Sequence, residues 1–275
     1  MVWLPVRYTA LVTSTALAAL PVLVLCAAWP VGVAAQNNFE IQVYGAETMA
    51  PGHTVVELHS NVAAEGSTRT TNGLVRTQGA VHETLEITQG WTPWFETGFY
   101  LFTSIQPEST WQWVGDHVRP RVRVPESWNL PVGLSLSAEV GYQRRAYSTD
   151  TWTLELRTII DKQWERWYVS INPVLDRAIK GESTTKGFEF SPAAKLSNTV
   201  TSKVALGIEY ALGSVTHFYR VHDQQHQLFP VIDLDLGPQW EFNFGVGFGL
   251  TPTTDQLIVK MILGYRFNWS AAQHP

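Results

Sequence analysis

The chain has 275 residues, of which 45% are hydrophobic and 16% charged, and its formal net charge is −5. This composition suffices for one large folded domain, and the acidic balance argues against nucleic acid as a partner. The only cysteine, Cys26, lies near the N-terminus, so the rest of the chain predicts neither disulfides nor thiol chemistry.

Residues 1–35 have the pattern of a secretory signal peptide. Arg7 supplies a positive start, residues 11–28 are apolar, and Val33-Ala34-Ala35 is a small-residue cleavage site. A membrane anchor is the alternative, because the apolar run is somewhat long for a signal. Export of a chain without further cysteine is typical of the bacterial outer membrane.

Residues 36–51 contain one short alternating piece, residues 39–44, which ends before Pro51-Gly52. We predict a periplasmic N-terminal segment here, with an additional strand as the alternative.

From Thr54 onwards, apolar and polar residues alternate with period two, which indicates β-strands. The clearest case is residues 134–143, where Leu134, Leu136 and Val140 alternate with Ser135, Ser137 and Glu139. About twelve strands follow one another, and short turns alternate with longer polar loops. The sequence predicts an all-β, antiparallel up-and-down transmembrane β-barrel over residues 52–269, followed by a C-terminal tail, 270–275.

Which face meets lipid is decided by the last hairpin. Phe242, Phe244 and Phe248 share one face, and Gly245 and Gly247 lie on the other. Mid-strand glycines facing water weaken a sheet without gain, whereas glycines facing a crowded lumen make room for long charged neighbours. We therefore predict that the apolar face points to lipid.

Aromatic residues mark both ends of the predicted strands, as the two interfacial girdles of a membrane barrel require. The girdle at the short turns is predicted to contain Trp91, Trp94, Trp128, Trp164, Trp167, Trp240 and Trp269. The opposite girdle is predicted to contain Trp111, Trp113, Tyr142, Tyr147, Trp152 and Tyr210.

Four prolines lie inside proposed strands, at positions 120, 173, 192 and 230. Proline cannot donate to a sheet ladder, and all four have outward parity. Bulges or strand ends are expected there.

Charged residues with inward parity are the candidate site. Arg119, Arg121 and Arg123 recur at alternate positions of one strand and predict an arginine ladder along the lumen. The structural interpretation is a network of ion pairs that fills the barrel. The functional interpretation is a polar constriction that sets selectivity. The residues chosen for this site are Arg119, Arg121, Arg123, Arg157, Glu96, Glu139, Glu155, Glu209, Asp233 and Lys260.

Two features of the loops give weaker indications of a functional site. His217, His222 and His226 crowd one loop beside Asp223, but their spacing matches no metal template, so no metal and no cofactor is predicted. Loop cations such as Arg69, Arg76 and Arg145 are suited to lipopolysaccharide phosphates or are ordinary surface charge.

Glu86, Gly90-Trp91-Thr92, Glu96 and the terminal Gly264-Tyr265-Arg266-Phe267 resemble the outer-membrane family assigned to a MetA pathway of phenol degradation. The shared layout of signal and barrel covers nearly the whole mature chain. Trp91, Pro93 and the tail beyond Phe267 depart from the family's pattern. The resemblance implies transport of small hydrophobic or aromatic compounds without identifying a substrate.

The sequence thus predicts a channel for passive passage of small solutes, located among the lipids and lipopolysaccharide of the outer membrane. No motif pairs a nucleophile with a base, so an enzyme is not predicted. The rivals are a lipid-modifying enzyme with a serine and a histidine at the outer rim, such as His82 or His217, and a plugged structural barrel without transport. An adhesive barrel is disfavoured because the loops are short, and no protein partner is identified.

Overall fold

A computed structural model of the protein describes residues 38–216 and 220–268. The predictions for residues 1–35 and 270–275, and those for His217 and Trp269, lie outside the described residues. Within the described parts, no helix is long and apolar enough to cross a lipid bilayer.

The described residues form fourteen strand segments and two single-turn 3-10 helices, Glu126–Trp128 and Val221–Asp223. The strands are β1 His53–Glu65, β2 Val81–Thr92, β3 Phe95–Ile105, β4 Trp111–Arg123, β5 Gly133–Gln143, β6 Asp150–Trp164, β7 Trp167–Asn172, β8 Val174–Gly181, β9 Phe188–Phe190, β10 Ala193–Thr201, β11 Val204–Leu212, β12 His226–Asp235, β13 Trp240–Gly249 and β14 Leu257–Asn268.

The sheet closes on itself, because β1 pairs antiparallel with both β2 and β14. Segments β7 and β8 form one barrel strand on either side of Pro173, and β9 and β10 form another on either side of Pro192. The ring therefore has twelve antiparallel strands, and the predicted fold class is confirmed.

The prolines act in two ways. Pro173 and Pro192 end strand segments, as expected. Pro120 and Pro230 stay inside β4 and β12, and the ladder to one neighbour is interrupted beside each without a register shift. Each strand therefore accommodates the missing N–H group by losing ladder bonds to only one of its two neighbouring strands.

The outward face is the apolar one. Leu136 is 49% exposed and Phe244 36%, whereas Ser137 and Glu139 between the apolar positions of β5 are buried. A closed ring satisfies all ladder groups internally, and its apolar outer face suits hydrocarbon. The chain is an outer-membrane β-barrel.

Aromatic residues lie at both ends of the ring. Trp113, Tyr142 and Trp152 pack side by side at the end with the longer loops, with ring centroids 5.8 and 5.7 Å apart. The prediction that Tyr147 belongs to this girdle is wrong, because Tyr147 packs against Phe39 inside the ring. The described tryptophans of the short-turn girdle are exposed: Trp91, Trp94, Trp128, Trp164, Trp167 and Trp240.

Gly247 faces the lumen, as predicted, but its neighbour is not a charged side chain. A Cβ there would collide with the ring of Phe229, whereas one at Gly245 would lie 3.1 Å from Cε of Lys260. The glycines of this strand therefore make room for an aromatic ring as well as for a lysine.

Residues 38–50 lie inside the ring, which corrects the expected location of this segment in the periplasm. Phe39, Ile41 and Tyr44 are buried against inward residues of the wall. None of residues 38–50 takes part in a β-ladder, so the segment is not an additional strand either. We call residues 38–50 the lumen segment.

Candidate functional site

The lumen segment runs from one mouth of the barrel to the other. Asn38 Nδ2 donates to Oδ2 of Asp255, in the loop between β13 and β14, at 2.6 Å. Thr48 Oγ1 donates to the carbonyl of Pro93, in the tight turn between β2 and β3, at 3.3 Å. Short turns of bacterial barrels face the periplasm, so the segment descends from the outer mouth to the periplasmic mouth before β1 begins.

Side chains of the wall hold the segment's backbone at its centre. Asn172 Oδ1 accepts from the N–H of Tyr44 at 2.8 Å, and Ser170 Oγ donates to the carbonyl of Tyr44 at 2.6 Å. The N–H of Ala46 donates to Asp161 Oδ2 at 2.9 Å. The wall thus supplies the partners that an extended backbone in a closed barrel otherwise lacks.

The predicted arginine ladder is present but largely neutralised. Arg119 Nη2 lies 2.8 Å from Glu86 Oε1 and 3.5 Å from Glu96 Oε1, and Arg121 Nε lies 2.8 Å from the same oxygen of Glu96. Arg123, by contrast, pairs at 3.0 Å with the exposed Glu126 at the periplasmic mouth. Only two of the three arginines therefore lie in the buried network.

Two members of this network bond to the backbone of the lumen segment. Arg121 donates to the carbonyls of Gly45, at 3.1 Å, and Glu47. Glu96 Oε2 accepts from the N–H of Met49 at 2.5 Å. The ion pairs therefore also fix the periplasmic half of the segment.

Tyr44 occupies a cage of guanidinium groups. The Cζ atoms of Arg119, Arg157 and Arg121 lie 4.6, 4.8 and 5.8 Å from the centre of its ring. The phenol oxygen bonds to Glu40 and lies 3.2 Å from the hydroxyl of Tyr100. Cations within about 6 Å of a ring face attract it, and desolvated examples contribute about 2 kcal/mol.

A second ionic network lies on the opposite wall. Lys260 Nζ lies 2.5 Å from Glu209 and donates to the carbonyl of Ile41 at 3.0 Å. Lys195 bridges Glu209 at 3.1 Å and Asp233 at 2.9 Å. The predicted residues Lys260, Glu209 and Asp233 are therefore brought together, and Lys195 completes the group.

The remaining three predicted residues belong to two separate pairs, one of which includes His117. Arg157 binds Glu155 through two hydrogen bonds, at 2.7 and 2.9 Å. Glu139 lies 2.5 Å from Nδ1 of His117. All ten predicted site residues except Arg123 thus lie along the lumen, and their role in selectivity stays a prediction.

Gly90 permits a close approach between the lumen segment and the wall. A Cβ at this position would collide with the carbonyl oxygens of Met49 and Ala50. Any other residue here would push the segment away from β2.

A cavity of about 560 Å³ lies beside the segment at the periplasmic mouth. Its lining includes Lys203 and Pro238 of the short turns together with Glu57, Gln42 and Glu241. Water therefore reaches part of the lumen from the periplasmic side.

The described histidines lie in three different environments. His82 faces the lumen, is buried against Phe39, and has no hydrogen-bond partner among the described residues. His222 pairs with Asp223 on the surface, whereas His226 bonds to Tyr210 and Gln224. Arg145, one of the loop cations, pairs with Glu182.

Sequence reasoning missed the lumen segment, although a signal was present. Phe39, Ile41 and Val43 alternate in the sequence and are all buried. The pattern indicated an extended backbone with a buried face, but gave no information on which surface buries it.

The sequence matches no known protein-family model, and no characterised protein is found as a relative. The resemblance to the MetA-pathway family therefore stays a prediction.

Solved structures resemble the fold at low sequence identity. The porin KdgM, solved in complex with disordered oligogalacturonate, gives a TM-score of 0.51 at 8% identity over 78% of this chain and 99% of that chain. The porin NanC gives 0.50 at 10% identity over 77% and 98%. Outer-membrane phospholipase A from Escherichia coli gives 0.45 at 10% identity over 85% and 94%, too distant to bear on activity. The chain shares the twelve-stranded barrel fold of the two porins.

An engineered disulfide tests where the lumen segment lies. A Cβ at Gly133 would lie 3.0 Å from that of Ala46, slightly closer than in a disulfide, and Asp161 must swing aside to admit it. We expect the folded double variant A46C/G133C to form an intramolecular disulfide on mild oxidation, detected by mass spectrometry of the digested protein.

The matched control is A46C/L134C, because Leu134 follows Gly133 and points to lipid. It should remain reduced under the same conditions. Equal cross-linking of the two variants, or none in A46C/G133C, would contradict the position of the segment.

Proposed function

We propose that the barrel is an outer-membrane channel for small solutes and that the lumen segment closes it. The observation that carries this proposal is the segment's path: it runs from mouth to mouth through a charged lumen and is held by side chains, without a ladder to the wall. Such a segment can leave the bore while the ring stays intact.

The contacts of the segment support reversible occupancy. Its carbonyls accept from Lys260 and Arg121, and its N–H groups donate to Asn172 and Asp161. Such bonds contribute about 0.5–1.5 kcal/mol net for the neutral partner and about 1.5–3 kcal/mol for the charged ones, because water replaces each bond when the segment moves out. The apolar contacts of Phe39 and Ile41 favour the closed state.

The charges of the wall support an aqueous path. A barrel that served only as a scaffold gains little from buried ion pairs, since apolar residues of similar volume are often as stabilising. With the segment displaced, Arg119, Arg121 and Arg157 face the bore on one side, and Lys195 and Lys260 face it on the other. A polar constriction of this kind sets selectivity in pores.

The position of Tyr44 supports a solute class. Three guanidinium groups surround its ring, and polar groups contact its hydroxyl. A solute with an aromatic ring and a hydroxyl or anionic group finds the same partners there once Tyr44 has left. The porin KdgM, whose solved complex contains oligogalacturonate, has a similar fold.

Deleting residues 38–50 tests the channel. We expect the deleted barrel to give discrete conductance steps in planar bilayers, whereas the intact barrel stays mostly closed. In the deletion background, Arg121→Ala should lower the preference for anions, because it removes a charge from the constriction. Arg123→Ala is the matched control, since its guanidinium pairs with Glu126 at the mouth, and it should change selectivity less.

A folded deletion variant that neither conducts nor admits solutes into liposomes would overturn the channel and leave a plugged structural barrel. Folding is verified by heat-modifiable migration on gels. Phospholipid hydrolysis by the intact barrel would instead favour the lipid-modifying enzyme.

Replacing Tyr44 alone tests the solute class. Tyr44→Ala should raise the open probability about tenfold or more, because it removes the cation–π contacts that hold the segment. Added p-cresol should restore closure by filling the guanidinium cage. The control Val43→Ala removes a neighbouring buried side chain outside the cage, so p-cresol should have no effect on it. Equal responses of the two variants to p-cresol would argue against an aromatic site.

A further inference from the structure

Three potential metal ligands converge on the lumen side of β1 and β2. Glu57 and His59 are two residues apart on β1 and share its inward face, and Glu86 on β2 is the ladder partner of Glu57. One ligand atom from each lies within 4.8 Å of the others, and all three residues are buried.

Three polar atoms of this group lack a hydrogen-bond partner among the described residues. His59 is 0% exposed, and neither ring nitrogen has a hydrogen-bond partner among the described residues. Glu86 Oε2 also has none, and it lies 3.4 Å from Nε2 of His59. A metal ion between them would supply a partner for Glu86 Oε2 and for one ring nitrogen of His59. Buried polar groups without partners are destabilising.

The second oxygen of Glu86 is held firmly. Its Oε1 accepts from Arg119 at 2.8 Å, from Tyr100 at 3.0 Å and from Thr88 at 2.7 Å. Such outer contacts typically orient a ligating carboxylate, and they direct the free oxygen Oε2 towards His59.

Charge and access also favour a cation. No lysine or arginine among the described residues forms an ion pair with Glu57, whose close neighbour Glu241 pairs with Arg266. Glu57 and Glu241 line the cavity that reaches the periplasmic mouth, which provides an entry path.

We propose that Glu57, His59 and Glu86 bind a divalent transition-metal ion that enters from the periplasm. Two carboxylates and one imidazole match the ligand types of Zn²⁺ and its first-row neighbours, whereas Mg²⁺ and Ca²⁺ prefer oxygen alone. The ion bridges β1 and β2, and water completes its coordination. This site is independent of whether the barrel conducts.

Zinc titration of the full chain, folded in detergent and without a histidine tag, tests the site. Isothermal calorimetry should give one equivalent of Zn²⁺, and Co²⁺ should give the visible absorption of a low-symmetry site. Glu57→Gln and His59→Gln should each weaken Zn²⁺ binding at least about tenfold, because each removes a ligand. Glu57→Gln is nearly isosteric, so it keeps the test valid if His59→Gln fails to fold.

His82→Gln is the matched control, since His82 is an equally buried lumen histidine on β2 without a carboxylate partner among the described residues. This variant should bind Zn²⁺ as tightly as the unchanged protein does. The same holds for His222→Ala, which removes an exposed imidazole. Absence of stoichiometric binding by the folded protein would overturn the site. Undiminished binding by folded Glu57→Gln, or a loss confined to His222→Ala, would also overturn it.

Discussion

The chain of buried ion pairs from Glu86 through Arg119 and Glu96 to Arg121 is the interaction on which the interior depends. It joins β2, β3 and β4 and neutralises their lumen charges. Through Arg119 it also holds the ring of Tyr44, and through Arg121 it holds the carbonyls of the lumen segment. Removing one partner from such a buried network leaves an uncompensated charge, at a cost of about 3–5 kcal/mol. The position of the lumen segment therefore depends on the ion pairs of the barrel wall.

The residues that carry the resemblance to the MetA-pathway family acquire a physical explanation from this arrangement. Glu86 holds Arg119, Glu96 accepts from the segment's backbone, and Gly90 leaves space for the carbonyls of Met49 and Ala50. The motif at the tight turn between β2 and β3 thus corresponds to the place where a lumen segment meets its barrel.

Much of the fold was predictable, because a strand with one face in lipid alternates with period two whatever its partner. The closed ring and the inward ladder follow from that period, and the strand ends at Pro173 and Pro192 follow from the N–H donor that proline lacks. The lumen segment was not predictable in the same way. Its bonds join side chains to backbone over long separations, such as Tyr44 with Asn172 and Ile41 with Lys260, and such bonds impose no period on the sequence. Arg119 and Arg121 lie in the lumen, whereas Arg123 lies at the mouth, and the neutralisation of the arginines was visible only in the fold.

The occupied lumen is the central claim, and amide hydrogen exchange of the folded barrel measures it most directly. The N–H groups of Tyr44, Ala46 and Met49 donate to side chains of the barrel wall, so their exchange should be at least about a hundredfold slower than in an unstructured peptide. The exposed loop residues 68–70 provide the internal reference for fast exchange. Slow exchange at residues 44, 46 and 49 is the result predicted by a segment inside the ring. Exchange there as fast as at residues 68–70 would contradict this position and would favour a segment that lies in the periplasm.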